Sequence, residues 1–223
     1  MTCFNIDALK FARAALCAST EATRYYLNGV YIEPHADGVL LVATDGHKMA
    51  VLLDRSGSCN APVVVPVPKA LISAIGRAKK QSPRLRVEAN GDNFRLESLS
   101  EDFLGSVPGP VSIECDYPDF RRVAPSVIAG KGSKGWASFN SDYLQIMGRI
   151  LSPNSKSSQI TAYTTGPNDP TIVKGSDEDA FCVLMPIRSE LANDVEKHRP
   201  QDWFYPTAKP QDATEEKENC DAL

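Results

Sequence analysis

The sequence has no apolar run long enough to span a bilayer, and its first residues lack the basic-then-apolar order of a secretory leader. No membrane partner follows, and the expected location is the cytoplasm. No two of the six cysteines (Cys3, Cys17, Cys59, Cys115, Cys182, Cys220) stand in Cys-x-x-Cys spacing. That argues against a zinc ribbon or dithiol redox motif and reads as free thiols in a reducing compartment. The three histidines, His35, His47 and His198, are far apart, so no metal site and no cofactor are expected. A phosphate loop and a nucleophile motif are also missing. Asp45, His47 and Asp119 are the candidates for an acid–base group, and nothing around them completes an enzyme.

An excess of positive charge is missing too. The net charge is −4, but it is uneven. Nine of the 28 acids and four of the 24 bases fall at 189–223, which leaves 19 acids and 20 bases in a nearly neutral body. Bulk affinity for nucleic acid is therefore not expected, while a local basic surface is compatible with this balance.

What is present is a recurring order. A short extended piece (2–5) precedes a helical stretch, Ile6 to Ala18, whose spacing puts Ile6, Leu9, Ala12 and Leu16 on one stripe with Lys10 and Arg13 off it. Strands are expected at 24–33, 39–43 and 48–53, with His35-Ala36-Asp37-Gly38 as a hairpin turn and Thr44-Asp45-Gly46-His47 as a polar corner. The order restarts with a β-rich run at 62–67, and Pro68 then opens a helix to about Lys80 with stripe Leu71, Ile72, Ile75 and Ala78. Lys69, Arg77 and Lys80 lie on its other face. Strands at 84–89 and 93–99, and a run through Ile113, follow. After a Gly/Ser loop (126–135) a third round gives a strand at 136–139, an N-cap at Asn140 or Ser141, and the stripe Tyr143, Leu144, Met147, Ile150 and Leu151 with Arg149 off it. Strands at 159–164, 170–174 and 180–187 close it. Strand–helix–several strands, three times over, predicts an α+β fold with antiparallel sheets. From Ser189 the chain is polar and reads as a flexible tail.

Three segments are more specific than this periodicity: Arg24-Tyr25-Tyr26-Leu27-Asn28-Gly29, Val42-Ala43-Thr44-Asp45-Gly46-His47-Lys48-Met49-Ala50, and Asp116-Tyr117-Pro118-Asp119-Phe120-Arg121-Arg122-Val123. In order and spacing they resemble the middle domain of the bacterial sliding clamp, the beta subunit of DNA polymerase III. A fourth segment, Val183-Leu184-Met185-Pro186-Ile187-Arg188, is similar to the end of that family's last domain. The resemblance implies the sliding-clamp fold in a shortened form, without the family's first domain and half of its third. Residues 1–125 would be one complete clamp domain, 126–188 half a domain, and 189–223 an acidic tail without a counterpart.

The resemblance further implies a non-enzymatic ring around duplex DNA, nucleoid-associated, with its helices lining the hole and touching phosphates without reading bases. The DNA-facing candidates are then Lys10, Arg13, Arg24, Tyr25, Tyr26, Lys69, Arg77, Lys80 and Arg149. Read without the resemblance, the helix cations are ordinary solvated faces, and Arg24 to Tyr26 pack as a strand. A second implied function is docking of polymerase and clamp-loader peptides. The matching positions are Leu27, Thr44, Gly46, His47, Lys48, Met49, Pro118, Val123, Val183, Met185 and Ile187, although for Val183, Met185 and Ile187 simple alternation into the core is the other reading. Lys48 and Met49 stand where the family more usually has Arg and Leu. Family rings hold twelve modules; three per chain make a homotetramer with two-fold axes, in which third modules pair between subunits. The alternative is a decoy that binds polymerase or loader peptides without encircling DNA. In the tail, Gln201-Asp202-Trp203-Phe204-Tyr205 loosely resembles a clamp-binding peptide, or is an aromatic cluster packed on the body.

Overall fold

The computed structural model describes residues 3–87, 93–124, 137–153 and 159–188. The Gly/Ser loop, Trp136 and everything from Ser189 on, including Gln201–Tyr205, lie outside the described residues.

The first module is strand β1 (Phe4–Asp7), helix α1 (Ala8–Ala14), strands β2 (Gly29–His35), β3 (Gly38–Thr44) and β4 (Lys48–Asp54), and the short β5 (Ser58–Cys59). The second is β6 (Val63–Pro66), α2 (Lys69–Ala78), β7 (Arg84–Val87), β8 (Asn93–Glu97) and β9 (Phe103–Pro108). The third is α3 (Ser141–Leu151), β10 (Thr161–Tyr163), β11 (Thr171–Lys174) and β12 (Ala180–Leu184), with Ser138 bridging Ile187 ahead of the helix.

The strands form two antiparallel sheets, in the orders β5-β1-β7-β8-β9 and β10-β11-β12-β4-β3-β2-β6. Each of the first two modules lends its first strand to the other's sheet: β1 pairs with β7, and β6 with β2. The exchange ties both modules into one body. A buried ion pair holds the crossing. Arg84, on β7, meets Asp54 at 3.2 Å and also donates to Asn5 and Ser56. Asp54, only 2% exposed, accepts the backbone N–H of Asp7 as well. The third module joins through β12, which pairs with β4 from Ala180↔Leu52 to Leu184↔Lys48 and so makes the larger sheet continuous across it.

Helices α1, α2 and α3 pack on the inner faces of the sheets over one core. It contains Ile6, Phe11, Ile32, Leu41, Leu52, Leu71, Ile75, Leu85, Phe94, Met147 and Ile150. The stripes expected on α2 and α3 match the buried Leu71, Ile75 and Ala78, and Met147, Ile150 and Leu151. Asn140 is the cap, accepting from Asp142 N–H. On α1 the stripe differs. Ile6 belongs to β1, and Asp7 caps the helix by accepting the N–H groups of Leu9 and Lys10 at 2.7 and 2.9 Å. Starting the helix there turns Ala8, Phe11 and Ala14 inward and leaves Leu9, Ala12 and Leu16 at the margin. Arg24 to Leu27 also depart from the strand reading: Ala22–Leu27 is a pair of 3₁₀ turns kinked at Arg24, and the strand begins only at Gly29. Gly38, at φ 134°, closes the β2–β3 hairpin, where a side chain would strike the Asp54 carbonyl.

Candidate functional site: an apolar corner on the outer sheet face

In β3, β4 and β12 successive side chains serve opposite faces. Leu41, Ala43, Ala50, Leu52, Cys182 and Leu184 enter the helix-covered core. Their alternates Val42, Met49, Val51 and Val183 form a second cluster on the outer face, with Leu40 and Phe181 at its edge. Register makes two rows across the sheet: Thr44–Met49–Val183 and Val42–Val51–Phe181. The segment that carries Tyr117, Phe120 and Ala124 packs over these rows. Tyr117 stacks on Tyr31 at 4.7 Å, and Phe120 meets Tyr31 edge-on. Asp119 holds this segment's 3₁₀ turn by accepting Arg121 N–H and pairing with Arg122. Arg121 lies over the Phe120 ring and pairs with Glu33.

The β3–β4 turn is locked by side chains. One Asp45 carboxylate oxygen accepts the N–H groups of His47 and Lys48, both at 2.9 Å. Thr44 Oγ1 donates to Lys48 O and accepts Gly46 N–H. Gly46 has φ 91°, and a Cβ there would stand 3.1 Å from the Arg24 guanidinium, which donates to Asp45 O. Burial alone would push the Asp45 carboxyl up. The bonds from the Lys48 ammonium and from two backbone N–H groups outweigh it and hold the carboxyl below its ordinary range. Beyond β12 the chain continues along this turn, because Met185 N–H donates to His47 O at 2.9 Å.

The expected peptide-docking residues thus separate by depth. Met49, Val183 and Leu27 are buried; Thr44 and Met185 are half-buried; Gly46, His47 and Pro118 are exposed. Val123 and Ile187 are large apolar side chains left 44% and 49% exposed. Lys48 is buried: its ammonium pairs with Asp45 and sits 4.8 Å from the ring centre of Tyr143 on α3. It therefore links the first and third modules inside the protein. Tyr31, Val42, Val51, Tyr117 and Phe120 complete the cluster and were not singled out from sequence. For Val42 and Val51 the signal was the unbroken apolar runs 39–43 and 49–53, which read as strands covered on both faces.

The expected DNA-facing residues divide as well. Lys10 donates to Leu53 O and pairs with Asp179 at 3.7 Å. Arg13 donates to Ile150 O, at the end of α3, and pairs with Asp177 at 2.5 Å. Both are largely buried at the junction with the third module, because α1 turns them toward α3 and the β11–β12 turn. Lys69 and Arg77 on α2, Lys80 in the 3₁₀ turn that follows it and Arg149 on α3 are exposed. Arg24 pairs with Glu21 and props the Asp45 turn, Tyr25 is exposed, and Tyr26 is half-buried against it. Of the three residues considered for an acid–base group, Asp45 and Asp119 are each engaged in holding their own turns, Asp45 with the His47 and Lys48 N–H groups and Asp119 with Arg121 N–H and Arg122. Among the described residues no cluster of His, Cys, Asp and Glu is arranged to hold a metal.

Helices layered under strand-paired sheets, with modules that exchange first strands, make this a DNA sliding-clamp fold. Solved clamps share it. The DnaN sliding clamp of Bartonella birtlesii bound to griselimycin superposes with TM-score 0.56 at 22% identity, covering 84% of this chain and 66% of that one. The Pseudomonas aeruginosa DNA polymerase sliding clamp with ligand gives 0.58 at 17%, with the same coverage. Residues 8–107 match the family described as the DNA polymerase III beta subunit, central domain. Beta sliding clamps of Caulobacter vibrioides and Escherichia coli K12 are 29% and 31% identical over 126 and 121 residues. Those matches cover 54% of this chain and 31% and 30% of the relatives, so the chain spans about a third of their length.

Proposed function

We propose that the chain is a DNA sliding clamp and processivity factor, a binding protein rather than an enzyme, that closes a homo-oligomeric ring around duplex DNA. The observation that carries this is the β4–β12 junction. One sheet runs without a break from the third module into the first while all three helices pack on its inner side and on that of the second sheet. Repeating such junctions extends a curved wall with helices within. Residues 1–125 then act as one complete domain and 126–188 as half of one, which pairs with the same half of another copy. Lys69, Lys80, Arg149 and Tyr25 supply contacts to phosphates, and such contacts carry no sequence information, as sliding requires. Lys10 and Arg13 hold modules together instead.

The outer apolar corner is the docking surface for short peptides of polymerases and clamp loaders. Val123 and Ile187 flank the Met49–Val183 floor, Met185 adapts to different side chains, and His47 and Gly46 offer a polar rim. Gel filtration with light scattering tests the ring: four chains support it, and a stable monomer overturns it. Titration with a fluorescent peptide carrying a Gln followed by apolar residues tests the corner. Binding by a chain that stays monomeric would favour the decoy, which engages partners without encircling DNA.

A further inference from the structure

Arg188 is the last described residue, and the chain reaches it by way of the corner. Met185 N–H donates to His47 O at 2.9 Å, which fastens the departing chain to the β3–β4 turn. Ile187 N–H donates to Ser138 O at 2.7 Å, which fastens it to the segment ahead of α3. Ile187 is 49% exposed, and Arg188 beside it is exposed and makes no ion pair among the described residues. A similar pair stands in the segment over the outer rows. Val123 is 44% exposed and Arg122 is exposed, between Phe120 and Ala124, which both pack on the outer cluster. Two exposed apolar side chains, each with an arginine next to it in sequence, therefore mark the corner.

The sequence that continues from Arg188 carries the complement. Residues 189–223 hold nine acids and four bases, and their only aromatic residues are consecutive: Trp203, Phe204 and Tyr205, with Asp202 before them. Each such ring can bury about 150–250 Å², and adjacent aromatics in a polar stretch gain by finding apolar cover. Pro200 and Pro206 bracket the segment, and a proline disfavours helix in the residue before it, here Tyr205. Twelve residues, 189–200, separate Arg188 from Gln201. They span about 40 Å when extended and about 18 Å as a helix, and either length lets the segment return to Ile187.

We propose that Gln201–Tyr205 docks into the corner of its own chain. Trp203 and Phe204 cover Val123, Met185 and Ile187, and Asp202 faces Arg188 or Arg122. This docking rests on the reading of the corner as a peptide site and names its resident ligand. The tail is then a competitor that every external peptide has to displace. A tether of this length holds the segment at an effective concentration on the order of 1 mM. Even a loose fit, with a dissociation constant of about 0.1 mM, then fills about nine-tenths of the corners and weakens an external peptide about tenfold.

The test is a titration of the full chain with a fluorescent peptide carrying a Gln followed by apolar residues, before and after Trp203→Ala with Phe204→Ala. The double variant should bind about tenfold more tightly at an unchanged light-scattering mass. Displacement is read separately. Trp136→Phe leaves Trp203 as the sole tryptophan. An unlabelled peptide without tryptophan should then red-shift Trp203 emission and raise its quenching by iodide, equally in dilute and concentrated protein. In that background Val123→Ser with Ile187→Ser should release Trp203 without any peptide. The effect of these two substitutions on the external peptide is read in the Trp203→Ala, Phe204→Ala chain, where no tail competes. Equal peptide affinity with and without the two aromatics, and a Trp203 that the peptide does not move, overturns the self-docking and leaves the corner as a peptide site. A peptide bound by neither form overturns the site and the self-docking together. A shielded Trp203 that Val123→Ser with Ile187→Ser does not release puts the aromatics elsewhere on the body and also overturns the self-docking. Shielding that grows with protein concentration puts the segment in another copy's corner and overturns docking within one chain.

Discussion

Helices α1 and α2 carry the same kind of sequence, an apolar stripe with cations beside it, yet their cations do different things. Lys10 and Arg13 disappear into the junction with the third module, while Lys69, Arg77 and Lys80 stay in solvent. Nothing within either helix sets this difference. It is set by what covers the adjacent sheet edge: β12 and α3 beside α1, and an open edge beside α2. A cation on a helix is therefore a joint or a solvent-exposed charge according to the neighbouring module.

The strongest way to break the comparison is to remove what both modules share. Asp54→Ala leaves Arg84 buried without its partner and should cost about 3–5 kcal/mol, read as a lower urea midpoint. Next, Arg13→Ala should cost about 2 kcal/mol, because a charged donor is lost from Ile150 O and Asp177. The matching Arg77→Ala should stay within about 0.5 kcal/mol in dilute protein. Equal losses at the two positions would remove the contrast between the helices.

These contrasts show how far the sequence could be read. The three modules, the stripes of α2 and α3, and the polar corner at 44–47 followed from periodicity and turn chemistry. The stripe of α1 did not, because Ile6 continues the 3.6-residue spacing backwards into a residue that a strand had already taken. Lys48 shows a similar limit. Its place beside the corner was legible, but its burial depends on Tyr143, nearly a hundred positions away. The roof of the corner was quoted as a motif, while Phe120 and Tyr117 were not assigned to it; only tertiary packing brings them over Met49 and Val183.

Smaller effects sharpen the contrast between the corner's buried floor and exposed rim. Val123→Ser with Ile187→Ser should weaken a clamp-binding peptide about tenfold, about 1.4 kcal/mol, and leave the urea midpoint unchanged. A shifted midpoint would mean that the rim is part of the core. The smallest effect is one of pH. The folded carboxyls of Asp45 and Asp179 lie below their ordinary range, Asp45 because its hydrogen bonds outweigh burial and Asp179 chiefly through its bond from Arg55. Their stabilisation is full above the unfolded pKa of about 3.9 and is lost as pH falls through the lower folded values. Asp45→Asn should therefore flatten the fall in urea midpoint between about pH 5 and 3, and an unchanged slope would deny Asp45 that role.

The central claim is that the chain closes around DNA, and topology tests it most directly without a loader. The protein is threaded onto linear duplex at low salt, the DNA ends are ligated, and the salt is raised before gel filtration. The account predicts that protein stays with the circle at high salt and leaves when a restriction enzyme cuts it. Protein that salt removes equally from circle and line would contradict the ring and leave only the docking corner.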